Sequence, residues 1–171
     1  MSRYRLPREK STPYVTPEGQ RVLADELKFL WKQKRPEVTA KVAEAAAMGD
    51  RSENAEYIYG KKQLREIDAR IRYLSKRLDE LVVVDRTPSD TDLIYFGAWV
   101  EVDDEAGETH QYRLVGADEF DREPCYISVD APVARALLKK RVGDAVEVVG
   151  PDGLRMLQVK SIRYEPPCGR S

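Results

Sequence analysis

A heptad seam between residues 57 and 81 constrains the fold more than any other feature of the sequence. Small or apolar side chains recur there at alternating spacings of three and four, which places them on one stripe of a helix. The seam consists of Tyr57, Gly60, Leu64, Ile67, Ile71, Leu74, Leu78 and Leu81. The pattern predicts a helix from about Ser52 to Val82, roughly 45 Å long at 1.5 Å per residue, that must bury its stripe against a partner helix.

The partner helix is predicted directly upstream. Thr16-Pro17-Glu18 has the form of a helix start, with Thr16 as the N-cap and Pro17 at the first helical position. The apolar stripe of this helix comprises Leu23, Leu27, Leu30, Val38, Val42 and Ala45. Because the ring of Pro36 removes one backbone hydrogen bond, the sequence predicts either a kink or a local break there.

A short connection at residues 47–54 separates the two helices. Gly49 suits the C-cap of the first helix, and Asp50 or Ser52 suits the N-cap of the second. So short a connection forces an antiparallel hairpin. The sequence therefore predicts an antiparallel α-helical coiled-coil arm over residues 16–84, with an acidic tip at 48–56.

After residue 84 the apolar period changes from helical to alternating, and turn residues at 85–92 indicate a linker. The predicted strands are 98–102, 111–115, 126–129, 145–149 and 156–164, and the one predicted helix is 132–139. The fold class is therefore α+β, in which a small domain of antiparallel sheet with a short helix, at 93–165, follows the arm. A basic lead-in at 1–15 and a tail at 166–171 complete the chain.

Composition narrows the possible functions. Cys125 and Cys168 are the only cysteines and His110 is the only histidine. No zinc motif of the usual spacing is present, and a catalytic triad has almost nothing to be assembled from. No apolar run reaches the roughly 18 residues of a membrane span, so we expect a cytosolic protein. Residues 1–82 carry 18 Lys and Arg against 13 Asp and Glu, and residues 83–171 carry 11 against 17. The first half is the expected partner of a polyanion, although a solvated helix face explains the same charges.

Two carboxylates, Asp50 and Glu53, stand three residues apart in the tip. If the second helix begins near Asp50, they share one side of it and suit a hard cation such as Mg²⁺, which an exposed pair would bind weakly without a second partner. The same spacing is a capping-box pattern, in which Asp50 caps the helix and Glu53 reaches back to an orphan N–H. Spacing alone favours the cap over the metal site, because caps occur on most helices. The charged residues and low apolar content of the tip favour a role beyond packing.

The tip run Gly49-Asp50-Arg51-Ser52-Glu53-Asn54-Ala55-Glu56-Tyr57 resembles the G-D-x-x-E-N-x-E-Y signature of the GreA/GreB transcript cleavage factors. Leu30-Trp31 and Lys61-Lys62 resemble the GreB branch in particular. The runs 96–102 and 127–138 resemble the C-terminal domain of that family, which is FKBP-like in fold. The resemblance covers about 16–164, and it departs where Ala131-Pro132 replaces the common Ser-Pro.

The resemblance implies a transcription elongation factor that enters the secondary channel of bacterial RNA polymerase and stimulates cleavage of backtracked nascent RNA. Such a factor is not itself an enzyme. Asp50 and Glu53 would complete a Mg²⁺ site shared with the polymerase, and the free protein is not expected to hold the ion stably. A monomer in the cytoplasm, without a membrane partner, is implied.

The same resemblance implies contacts with the nascent RNA 3′ end through phosphates, which carry no sequence information. The implied RNA-binding residues are Arg51, Asn54, Lys61, Lys62 and Arg65. The sequence fits two alternatives equally well. Asn54 can be an ordinary surface residue of the helix, and Lys61-Lys62 can be ordinary solvated helix positions. Pro132 is implied as a polymerase contact, and an FKBP-like shape does not imply isomerase activity.

Three other hypotheses remain from the sequence alone. An autonomous metal-dependent nuclease would need more ligands than an exposed pair supplies. A channel-binding inhibitor or regulator of the polymerase would carry a similar arm with an altered tip. A plain coiled-coil adaptor predicts no catalytic phenotype when the tip carboxylates are replaced.

Overall fold

The structure, a computed structural model, describes residues 10–49 and 53–165. Glu18–Leu81 forms one compact unit, and the described residues on either side of it form the other. Residues 1–9 of the predicted lead-in, the predicted tail and Cys168 lie outside this range. Within it, no helix combines the length and apolar character needed to cross a membrane.

The helical unit is a hairpin, as predicted. The first arm consists of α1 (Pro17–Phe29), a π-helical turn (Leu30–Lys34) and α2 (Arg35–Ala47), and the second is α3 (Ala55–Glu80). Glu26 bonds to Arg70 at 2.7 Å and Arg35 bonds to Asp68 at 2.8 Å, so residues later in the first arm pair with earlier residues of α3. That order makes the hairpin antiparallel. The 26 residues of α3 span about 39 Å at 1.5 Å per residue.

The predicted heptad seam is confirmed. All eight seam positions are buried or half-buried, and Gly60, Ile67 and Leu74 are the buried ones. Leu23, Val38 and Ala45 of the first arm are buried as well. The helix itself is shorter than predicted at both ends, because Asn54 caps its start and Val82–Val83 leaves the helix to form a strand.

The chain stays helical through Pro36 and does not break. Lys34 and Arg35 both have helical backbone angles, and the π-helical turn ends two residues before the proline. The apolar stripe explains the turn: Leu23 to Leu30 is seven residues, but Leu30 to Val38 is eight. A π-helical turn takes up one extra residue, which returns Val38 to the seam and places Pro36 at the start of a new helical segment.

Two strands flank the hairpin along the chain. β1 (Tyr14–Val15) precedes α1, β2 (Val82–Val83) follows α3, and the two pair in parallel with Tyr14 opposite Val82. Both belong to the second compact unit. The chain segments directly before and after the hairpin therefore lie side by side as a strand pair, which alternation of apolar residues did not predict.

The remaining elements form the predicted sheet with a short helix. They are β3 (Trp99–Asp104), β4 (Thr109–Val115), β5 (Tyr126–Ser128), α4 (Pro132–Leu137), β6 (Ala145–Gly150) and β7 (Gly153–Arg163). The sheet order is β5-β4-β3-β7-β6, and β4 pairs with β5 in parallel whereas the other pairs are antiparallel. Leu137 of α4 packs with the inward-facing Val100 and Val159, which makes the α+β core.

Candidate functional site

The tip of the hairpin lies between the end of α2 and the start of α3. Met48 is the C-cap of α2, and Gly49 follows with φ of +144°, a backbone conformation that favours glycine. Glu53 lies in a turn and is exposed. Asp50, Arg51 and Ser52 fall outside the described residues, so their predicted roles remain predictions.

Asn54 joins the two helices at the tip. Its Oδ1 accepts a hydrogen bond from the backbone N–H of Tyr57 at 3.1 Å, and its Nδ2 donates to the carbonyl of Ala45 at 2.8 Å. One side chain thereby satisfies a first-turn N–H of α3 and adds a second donor to the Ala45 carbonyl of α2, which also accepts from the backbone N–H of Met48 at 3.2 Å. The prediction that Asp50 or Ser52 caps the second helix is wrong, because Asn54 holds that position.

The position of Asn54 also decides the capping-box interpretation of Glu53. A capping-box glutamate lies three residues after the N-cap, inside the helix. Glu53 instead precedes the N-cap, so it cannot serve α3 in this way. The premise that Asp50 and Glu53 share a face of the second helix fails for the same reason. An exposed carboxylate that is not part of the helix cap remains, and carboxylate oxygen is the donor that Mg²⁺ prefers.

Three of the predicted RNA-binding residues lie on α3 behind the tip. Lys61, Lys62 and Arg65 are all exposed. Lys61 and Arg65 are four residues apart and share one side of the helix, and the ammonium of Lys61 lies 6.0 Å from the centroid of the Tyr57 ring. The positive charge is thus available to solvent within three turns of the tip.

Pro132 belongs to the other compact unit. It is the exposed first residue of α4, and its N-cap, Ala131, makes no side-chain hydrogen bond to the helix. A proline at this position costs no hydrogen bond and starts the helix at a fixed backbone angle. Its side chain is open to a partner, as the implied polymerase contact requires.

Among the described residues, two polar clusters were not predicted from the sequence. Glu119 is fully buried and accepts hydrogen bonds from the backbone N–H of Gly116 at 2.8 Å and of Thr16 at 3.1 Å. The Thr16 hydroxyl also donates to Glu119, so the residue before α1 is fastened to the loop after β4. No sequence motif indicates this contact, because Thr16 and Glu119 lie 103 residues apart.

The second cluster lies in the β3–β4 hairpin, where donor atoms of Asp104, Glu108 and His110 lie within 4.8 Å of one another. Asp104 Oδ1 accepts from the backbone N–H of Ala106 and of Glu108, and Oδ2 bonds with His110 Nε2 at 2.8 Å. These bonds lower the pKa of Asp104, the bond with His110 most of all. Three hydrogen bonds within the hairpin thus engage the Asp104 carboxylate, which gives this cluster a structural role.

Comparison with known proteins identifies the family. Residues 13–83 match the family described as transcription elongation factor, N-terminal, and residues 89–164 match transcription elongation factor, GreA/GreB, C-term. Together the two matches span most of the chain.

Individual relatives agree. The chain is 55% identical over 166 residues to transcription elongation factor GreB of Pseudomonas aeruginosa, covering 97% of this chain and 99% of that one. It is 56% identical to GreB of Haemophilus influenzae, covering 89% and 96%. Among solved structures it is similar to GreA factor homolog 1 (Gfh1) of Thermus thermophilus at 27% identity and a TM-score of 0.40, covering 88% and 97%. The chain belongs to the GreA/GreB family of transcription elongation factors.

Proposed function

We propose that this protein is a transcript cleavage factor of bacterial RNA polymerase. Its helical hairpin enters the secondary channel tip first and brings Asp50 and Glu53 to backtracked RNA. The observation that carries the proposal is the capping of α3 by Asn54, because it leaves the Glu53 carboxylate exposed in the turn and without a capping role. Family membership over both compact units supports the same function.

The two tip carboxylates would hold a Mg²⁺ ion that is shared with the polymerase active site. When bound there, the ion would activate water and stabilise the leaving oxygen of phosphodiester hydrolysis. Glu53 supplies a carboxylate oxygen, and Asn54 keeps the turn fixed against both helices. The factor would thus complete the nuclease activity of another protein, and we expect the free factor not to hold the ion stably.

Basic residues of the arm would hold the extruded RNA. Lys61, Lys62 and Arg65, with Arg51 at the tip, would contact its phosphates without reading its sequence. We assign Asn54 a positioning role at the tip, since both ends of its amide bond to the hairpin backbone. Pro132 would contact the polymerase, and the factor would act as a monomer in the cytoplasm.

Cleavage in stalled elongation complexes tests the proposal. The double variant Asp50→Asn with Glu53→Gln removes both charges and keeps side-chain shape, so we expect cleavage at the basal rate of the polymerase with binding unchanged. Glu56→Gln is the matched control, because it removes a nearby exposed charge on α3. Normal cleavage by the double variant would overturn the proposal, as would RNA cleavage by the factor and Mg²⁺ without polymerase.

A further inference from the structure

Thr12 is bonded to the loop that joins β5 to α4. Its backbone N–H donates to Asp130 Oδ2 at 2.8 Å, and its hydroxyl donates to Asp130 Oδ1. Both oxygens of one carboxylate are therefore held by a residue that lies 118 positions earlier in the sequence. Hydrogen bonds to an ionised acceptor are stronger than those between neutral groups, so this long-range contact is a firm one.

The segment that carries Thr12 is itself anchored. The carbonyl of Pro13 accepts from the backbone N–H of Val82 at 2.7 Å, and β1 begins at the next residue. At the other end of the segment, Thr16 is bonded to the buried carboxylate of Glu119. Thr12 therefore belongs to a part of the chain that is fixed by other contacts, and it can in turn hold what it binds.

The loop between β5 and α4 is fixed differently at its two ends. Val129 is buried, and its backbone N–H donates to the carbonyl of Val115 on β4 at 2.8 Å. The start of α4 has no side-chain cap, because its N-cap residue is Ala131. Aspartate is a good N-cap, but Asp130 lies one position before the N-cap and its carboxylate is bonded to Thr12. The contact with Thr12 thus fixes the end of the loop at which α4 begins.

The exposed residue nearest to this contact along the chain is Pro132, two positions after Asp130 and first in α4. The turn between them is closed by local bonds. Ser128 Oγ accepts from the backbone N–H of Asp130 at 3.2 Å, and the Ser128 carbonyl accepts from the N–H of Ala131 at 2.9 Å. Because proline also has a fixed backbone φ, the place of the Asp130 carboxylate decides where the ring of Pro132 stands.

We propose that Thr12 is a positioning residue for polymerase docking. Its two hydrogen bonds hold Asp130, and through Asp130 they hold the ring of Pro132 in the place where it binds the polymerase. The inference rests on the proposed function, in which Pro132 contacts the polymerase, and adds a half-buried residue that acts through another. A surface that is ordered before binding avoids the entropy cost of ordering it on association. Thr12 therefore raises the affinity of the factor and leaves the cleavage step unchanged.

The test separates affinity from chemistry. Thr12→Val keeps the shape of the side chain and the backbone N–H but removes the hydroxyl, and cleavage in stalled elongation complexes is measured over a range of factor concentrations. We expect a roughly tenfold higher half-saturating concentration, the size of one lost hydrogen bond to a charged group. The maximal rate at saturating factor should be that of the parent chain. Thr12→Ser keeps the hydroxyl and should restore the parent affinity.

Thr109→Val is the matched control. Thr109 Oγ1 donates to Asp103 Oδ1 at 2.6 Å, so it makes a threonine–aspartate bond of the same kind in the β3–β4 hairpin. The residue is exposed and lies in a strand, where valine is readily accommodated. This variant loses a hydroxyl bond away from the β5–α4 loop, and its half-saturating concentration should equal that of the parent chain.

A double-mutant cycle shows whether Thr12 acts through Asp130. Asp130→Ala should weaken binding at least as much as Thr12→Val, because it removes the acceptor of both bonds. In the Asp130→Ala background the hydroxyl has lost its partner, so adding Thr12→Val should change the half-saturating concentration by less than about twofold. An equal effect of Thr12→Val in both backgrounds would overturn the inference.

Four other results would overturn it as well. They are a parent half-saturating concentration in Thr12→Val, a lower maximal rate in that variant, no recovery in Thr12→Ser, and parent affinity in Pro132→Ala. Failure of the proposed function is seen separately. If Asp50→Asn with Glu53→Gln cleaves normally, the proposed function fails whatever Thr12→Val does. If that double variant binds without cleaving and Thr12→Val has the parent affinity, only the assignment of Thr12 fails.

Discussion

Gly60 of α3 faces Val42 of α2 so closely that a Cβ atom built on Gly60 would stand 2.7 Å from Val42 Cγ2. Glycine inside a helix costs about 1 kcal/mol relative to alanine, so its presence in the seam has to be explained by packing. Val42 is β-branched and has little freedom to turn away. The absence of a side chain at Gly60 is therefore what lets the two helices approach each other near the tip.

Gly60→Ala should lower the free energy of unfolding by about 1 kcal/mol, because overpacking against Val42 outweighs the better helix propensity of alanine. Urea denaturation followed by circular dichroism measures the change. The compensating pair Gly60→Ala with Val42→Ala should lose less than the two single changes added together. A single Gly60→Ala variant more stable than the parent chain would contradict the close contact.

The hairpin was predictable because a heptad seam is local information. Spacings of three and four along α3 depend on no other part of the chain, and all eight seam positions are buried or half-buried as predicted. The sequence also contains the signal for the π-helical turn, since the eight-residue step from Leu30 to Val38 exceeds a heptad by one residue. Pro36 by itself is compatible with either a kink or a break in the helix. The apolar stripe before and after Pro36 indicates instead that one residue is inserted.

The tip was predicted only in part, because its geometry depends on both helices at once. Several residues between 50 and 54 are good N-caps, and propensity cannot choose among them. Asn54 takes the position since its amide also reaches the carbonyl of Ala45, a contact that exists only once the hairpin has closed. For the same reason alternation predicted the strands of the sheet but not the parallel pairing of β4 with β5.

Asn54→Ala should lower the free energy of unfolding by about 1 to 2 kcal/mol, since it removes the cap of α3 and leaves the carbonyl of Ala45 without this donor. Asn54→Asp keeps an acceptor for Tyr57 but loses the donor, so its loss should be smaller. Hydrogen exchange of the Tyr57 amide separates the two bonds: it should become fast in the alanine variant and stay slow in the aspartate variant. Equal exchange rates in both would contradict the assigned cap.

Glu119→Ala should lower the free energy of unfolding by about 3 kcal/mol or more, because it removes the carboxylate that accepts from the buried N–H groups of Gly116 and Thr16. The measurement is the midpoint and slope of denaturant unfolding, with Glu123→Ala as the control, because Glu123 is an exposed acid in the same loop. Gly116→Ala should be damaging as well, since a Cβ there would stand 2.2 Å from the carbonyl oxygen of Tyr14. If Glu119→Ala lowers the free energy of unfolding by no more than Glu123→Ala does, the hydrogen bonds of the buried carboxylate to Thr16 do not stabilise the fold.

Stability at acid pH should depend on Asp104. Its pKa is lowered from the ordinary 3.8, first by the hydrogen bond with His110 and then by the backbone N–H of Glu108. A carboxyl whose pKa is lower in the folded chain stabilises the fold above its unfolded pKa, and that contribution disappears as the pH falls through the folded value. The stability difference between the parent chain and Asp104→Asn should therefore be present at pH 5 and shrink as the pH falls below 3.8.

Titration of the Asp104 carboxyl carbon by NMR checks the cause directly. The titration midpoint should lie below 3.8 in the parent chain and should rise in His110→Gln. A midpoint at or above 3.8 in the parent chain would contradict the prediction.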